Sequence, residues 1–130
     1  MQAAAYAQAY QRTEVETADP KRLVVMLYDG AVRFLYRAQE AMARRDYEGQ
    51  NEALTRAQAI FSELDCSLNP EAGEIAANLR ATYTYLYNAL VEANLRDDAA
   101  LLAEVTGRVE RLRDAWREAE AQERRREMRA

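Results

Sequence analysis

The stretch 19–42, DPKRLVVMLYDGAVRFLYRAQEAM, limits the fold more than any other part of the chain. Asp19 is a good N-cap, and Pro20 suits the first helical position, where a backbone N–H would have no helical partner. Beyond them Leu23, Met26, Leu27, Gly30, Phe34, Ala38 and Ala41 recur at three- and four-residue steps, one face of a helix. Val25, Tyr28, Val32 and Tyr36 repeat that spacing roughly opposite, on a wheel of about 100° per residue. Arg22, Asp29, Arg33, Arg37 and Glu40 share the narrow strip left over. A surface helix is polar over most of its circumference. This one has two apolar faces and needs two neighbours.

Three more segments carry the helical period. A helix over 47–65 follows the turn at Arg45 and Asp46, with Asp46 as its cap. It sets Tyr47, Leu54, Ala57, Phe61 and Leu64 on one face, beside Ala53 and Ile60. SLNPEAG at 67–73 is the clearest break, because Pro70 restricts Asn69 and Gly73 loosens the backbone. The third helix, over 74–95, has a core stripe of Ile75, Leu79, Thr82, Leu86, Leu90 and Ala93. Tyr83, Tyr87 and Val91 widen it, so this helix too is more apolar than its own bundle needs. RDD at 96–98 caps a fourth helix over 99–122, whose narrow seam is Leu101, Leu102, Val105, Val109, Leu112, Trp116 and Ala119. Four helices of five to six turns with short connections predict an all-α, antiparallel up-down-up-down four-helix bundle. The organisation expected is a tail at 1–18, the bundle at 19–122 and a charged tail at 123–130.

Composition narrows the chemistry. The net charge is −4, but residues 123–130 hold four Arg and two Glu, a net +2, which leaves −6 for the first 122. That balance speaks against nucleic acid as a partner. The terminal run ERRREMRA reads as a solvated helix end. Cys66 is the only cysteine, so a disulfide scaffold is excluded. No apolar run approaches the ~18 residues of a membrane span, and the first residues lack the order of a signal peptide; no membrane insertion and a cytoplasmic location are expected. With no histidine, phosphohistidine transfer, Glu-x-x-His di-iron sites and Ser-His-Asp or Cys-His nucleophiles are all excluded.

Candidate sites are few, and no metal or cofactor is expected. Arg33/Arg37 and Arg44/Arg45 would suit a dicarboxylate, as in an Arg-dependent helical enzyme of the chorismate-mutase type, but they fall on wet faces. Tyr83, Tyr85 and Tyr87 lack the basic surroundings of a base-stacking platform. Asp29–Gly30 lies mid-helix, where Gly30 permits close approach of another backbone. The surplus is therefore apolar surface, which marks a site for a partner segment.

The wording of the stripes resembles a known family. TADPKRLVVMLYDGAVRFL is similar to the opening signature of the flagellin-specific export chaperones, the FliS family. YQRTEV resembles its Tyr-Gln tail motif, RAQAIFSEL its second helix, AANLRATYTYLYNALVEAN its third and VTGRVERLRDAWREA its closing helix. The resemblance runs collinearly over 6–119. It implies a non-enzymatic cytosolic chaperone that binds the disordered C-terminal segment of flagellin, prevents early polymerisation and assists delivery to the secretion apparatus. Secretion-apparatus components or a co-chaperone are further partners it would allow, and a generic adaptor for another amphipathic segment is the alternative. Carried over, it assigns Tyr10 to a tail that covers the client surface. It assigns Tyr28 on the first helix, and Asn78, Leu79, Tyr83, Tyr87 and Asn94 on the third, to the client. Groove and core stay equally open for Leu79 and Tyr83.

Overall fold

The computed structural model describes residues 20–129. Among them are four α-helices: α1 Pro20–Ala43, α2 Tyr47–Cys66, α3 Glu74–Arg96 and α4 Ala99–Arg129. A 3-10 turn, Pro70–Ala72, lies between α2 and α3. The helices pack in chain order around a ring, α1 on α2, α2 on α3, α3 on α4 and α4 back on α1. This is the expected antiparallel bundle. All four helices start at the expected residues, and the first three end within one residue of expectation.

Local chemistry accounts for the turns. Asp46 caps α2 by accepting from the Gly49 N–H at 3.0 Å, and Asp98 caps α4 through the Leu101 N–H at 3.0 Å. α1 and α3 close with left-handed residues, Arg45 at φ 59° and Asp97 at φ 51°. The next N–H in each case reaches back five residues, Asp46 to Ala41 O at 2.8 Å and Asp98 to Ala93 O at 3.0 Å. Gly73 sits at φ 68°, ψ −126°, a conformation that only glycine adopts cheaply, and it turns the chain into α3.

α4 is the exception in length. It continues to Arg129, so the segment after Gln122 is a prolongation of the helix and not a separate tail. Its residues are good helix formers, and Lys21 at the start of α1 holds Glu123 at 2.8 Å. At 31 residues α4 is about 46 Å long, against about 36 Å for the 24 residues of α1.

The core corrects the reading of α1. Tyr28, Ala31, Leu35 and Ala38 are fully buried, with Val25, Leu27, Val32 and Met42 nearly so. The two stripes are the flanks of a single buried arc wider than half the wheel, centred on Ala31 and Leu35. Of the second stripe only Tyr36 is exposed, donating its hydroxyl to Glu110 Oε2 at 2.9 Å. The neighbour at Gly30 is also different from expectation, because an added Cβ would meet the Ile60 methyl at 3.4 Å and no backbone. From α2 the core takes Leu54, Phe61 and Leu64, and from α4 Leu102, Val105 and Val109. Each such side chain contributes about 1.5–3 kcal/mol by leaving water. Tyr47 and Ile75, both expected in core stripes, are exposed.

Candidate functional site

Ile75 and Leu79 share the core-facing side of α3 with Leu86 and Leu90, at helical spacing. Cover along that side is uneven. Leu86 and Leu90 are fully buried, Leu79 is half-buried, and Ile75 is 69 % exposed. The antiparallel register sets Tyr85 near Arg108 and Thr82 and Leu86 beside Leu112, so the start of α3 lies level with about 115–119 of α4. There α4 presents Ala115 and Ala119, too small to close the gap, and Trp116, which is only partly buried. The result is an apolar opening between the lower halves of α3 and α4. Above it, Thr82, Leu86, Arg108, Arg111 and Leu112 line a continuous cleft.

The polar contacts show the same asymmetry. α1 and α4 are joined along their length by Lys21–Glu123 at 2.8 Å, Arg117–Asp29 at 2.7 Å, Tyr36–Glu110 at 2.9 Å and Gln39–Thr106 at 3.3 Å. α2 and α3 are joined by Arg80–Asp65 at 3.2 Å and by an amide cluster around Gln50 and Asn94. Among the described residues no hydrogen bond or ion pair crosses from α3 to α4. The one polar link is the Arg108 guanidinium, 5.0 Å from the centre of the Tyr85 ring.

Tyr28 and Tyr83 meet inside the bundle, hydroxyl to hydroxyl at 2.6 Å. Tyr83 also stacks on Phe61, with ring centres 6.4 Å apart. Burial pushes the Tyr28 hydroxyl far above its ordinary pKa, and the adjoining Tyr83 adds to this while the Trp116 indole N–H opposes it. Burial also raises Tyr83; the bond from Tyr28 works against that and the Asp65 charge works with it. Both rings are therefore neutral packing groups whose hydroxyls bond each other.

The residues expected to meet a partner are not one patch. Tyr10 lies outside the described residues. Tyr28 and Tyr83 are 0 % and 3 % exposed, so the structure holds them in the core. Leu79 borders the α3/α4 opening, and Asn78 beside it is exposed. Tyr87, 38 % exposed, faces the other flank of α3, where it lines a cleft of about 230 Å³ with Phe61, Ser62, Asp65, Tyr83, Thr84 and Asn88. Asn94 is engaged within the protein: its Oδ1 accepts from Gln50 Nε2 at 3.0 Å and its Nδ2 donates to Asn51 Oδ1 at 2.9 Å. Ile75, read as core, is instead exposed, while Leu112 and Trp116 pack against the core with one edge left partly open. The signal for this was in α4, whose seam falls to alanine at 115 and 119 opposite the start of α3.

Arg33, Arg37, Arg44 and Arg45 are exposed. In the cleft between α1 and α2, Arg37, Arg44 and Arg56 are matched by Glu40, Asp46 and Glu52, so it has no net charge to draw in an anion. Among the described residues no cluster of acidic or cysteine side chains has a metal-binding arrangement, and no helix is long and apolar enough to cross a membrane.

Known proteins are similar to this chain in sequence and in architecture. A family model described as "Flagellar protein FliS" matches residues 1–123. The flagellar secretion chaperone FliS of Bacillus subtilis (strain 168) is 44% identical over 116 residues, which span 89% of this chain and 86% of the relative. The protein of the same name from Salmonella typhimurium is 39% identical over 116 residues, 88% of this chain and 86% of its own. A crystal structure of a flagellar chaperone from bacteria superposes with a TM-score of 0.75, covering 88% of this chain and 97% of its own at 19% identity, a likeness of fold. The chain belongs to the FliS family of flagellar secretion chaperones.

Proposed function

We propose that this protein is a cytosolic export chaperone that binds the disordered C-terminal segment of flagellin, keeps subunits from polymerising early and assists their delivery to the flagellar secretion apparatus. The observation that carries this reading is Ile75, a core-face residue left 69 % exposed one turn before the half-buried Leu79. A contiguous apolar opening on a net-acidic bundle is costly unless something covers it. An unfolded segment can do so by folding an amphipathic helix into the groove, with the ordering entropy offset by apolar burial. In this reading Asn78 and Leu79 meet the client at the opening and Tyr87 meets it at the α2/α3 cleft. Tyr28 and Tyr83 support the surface from beneath, Asn94 fixes α3 to α2, and residues 1–18 with Tyr10 form a displaceable cover.

Calorimetric titration with the C-terminal segment of flagellin from the same organism tests it. Saturable one-to-one binding with a negative heat-capacity change is expected, because that sign reports apolar burial. Absence of binding at high concentration would return the opening to an adaptor for another amphipathic segment.

A further inference from the structure

The family reading leaves one feature of α4 unused. Arg108, Arg111, Ala115, Gln122, Arg126 and Arg129 follow one another at steps that keep them on a single stripe of the helix. Its upper end is on the α3 side, where Arg108 and Arg111 line the cleft with Leu86 and Leu112. Other arginines of α4 are paired: Arg113 and Arg117 with Asp29, Arg124 with Glu120, and Arg125 with Glu118. Arg108 pairs with Glu104 at 3.7 Å and lies over the Tyr85 ring. Arg111, Arg126 and Arg129 make no hydrogen bond or ion pair among the described residues. Unpaired guanidiniums thus stand at both ends of the stripe. Arg111 and Arg126 are about 22 Å apart along a helix rising 1.5 Å per residue. Between them lie Ala115, Gln122 and Glu118, whose carboxylate is taken up by Arg125 and Gln122, and the apolar opening lies alongside.

From this juxtaposition we infer that the α3/α4 opening takes a helical client segment of about four turns, with an apolar seam flanked at both ends by acidic side chains. The apolar seam covers Ile75, Leu79 and Trp116. One acidic cluster meets Arg111 and the other, some fifteen residues away, meets Arg126 and Arg129. On a chain of net charge −4, these rim arginines set register and orientation more than affinity, as charges at an interface rim do. The inference rests on the client reading above and specifies the chemistry of the segment that fits.

The test uses the full chain and the flagellin C-terminal segment as probe. Arg111→Glu, Arg126→Glu and Arg129→Glu are combined in one variant, with Arg45→Glu, on the α1–α2 turn, as control; unchanged thermal unfolding of each establishes that it folds. The triple variant is expected to bind about tenfold more weakly, with the salt dependence of binding lost, since three rim attractions become repulsions. Arg45→Glu is expected to match the parent. Triple-variant affinity within about twofold of the parent would overturn the inference and leave the client reading intact, since three reversed rim pairs together should exceed that. Failure of the parent itself to bind would overturn both. Self-association abolished by the same reversals, with segment binding unchanged, would give the stripe to a second copy of the chain and likewise overturn it.

Discussion

α1 has a helix against each flank, α2 on one side and α4 on the other, and its apolar arc is buried from Val25 to Met42. The first two turns of α3 are held on the α2 side by Arg80–Asp65, while on the core-facing side Leu79 is only half-buried and Ile75 is exposed. The two helices differ little in hydrophobic content over these stretches. What differs is the neighbour. An apolar stripe becomes core where a partner helix supplies Leu or Val opposite it, and stays exposed where the partner offers alanine.

The comparison breaks first at the core. Leu35→Ala, at the centre of the α1 arc, is expected to lower the unfolding free energy by about 2–5 kcal/mol in denaturant titration. A loss below about 1 kcal/mol would mean that α1 is not enclosed as described. The Tyr28–Tyr83 pair comes next. Tyr28→Phe strands the Tyr83 hydroxyl and is expected to cost about 1–3 kcal/mol, while adding Tyr83→Phe costs less than the sum of the two single changes. The same pair predicts pH behaviour. Burial raises both pKa values in the folded state, so their stabilisation is fully present below the ordinary tyrosine pKa near 10 and is lost as pH climbs beyond it toward the folded values. Stability is therefore expected to be level through neutral pH and to fall above about pH 10. Tyrosinate absorbance checks that these two of the eight tyrosines stay protonated until unfolding. Asp46→Ala removes the α2 cap and is expected to cost about 1 kcal/mol. Ile75→Ala is the smallest, within about 0.5 kcal/mol by the same titration, because the side chain already faces water. Its effect belongs in client binding instead. Equal stability costs for Leu35→Ala and Ile75→Ala would erase the distinction between the helices.

Periodicity and caps made the helices legible, since Asp46, Pro70, Gly73 and Asp98 act locally and their chemistry does not wait for tertiary structure. The end of α4 was less so, because nothing in ERRREMR stops a helix and what holds it to the bundle is the long-range Lys21–Glu123 pair. The site was legible only in kind. A wheel shows that α3 has surplus apolar surface, but Tyr83 and Ile75 differ in the identity of what lies across from them. Tyr83 points between Tyr28 and Phe61, whereas Ile75 comes level with Ala119. That pairing depends on the register of helices distant in sequence. It also makes Tyr83→Ala a poor probe of binding, since removing a buried aromatic costs about 3–5 kcal/mol of stability. Tyr87 and Ile75 are the cleaner choices.

Hydrogen exchange of the backbone amides, with and without the flagellin C-terminal segment, tests most directly whether the α3/α4 opening is the client site. In the free protein the first turns of α3 should exchange faster than α1, as expected where few apolar contacts restrain a segment. On adding the segment, exchange should slow at 75–86 and 108–122 and stay unchanged along α1. Slowing confined to α1 and α2, with the start of α3 unaltered, would contradict the assignment.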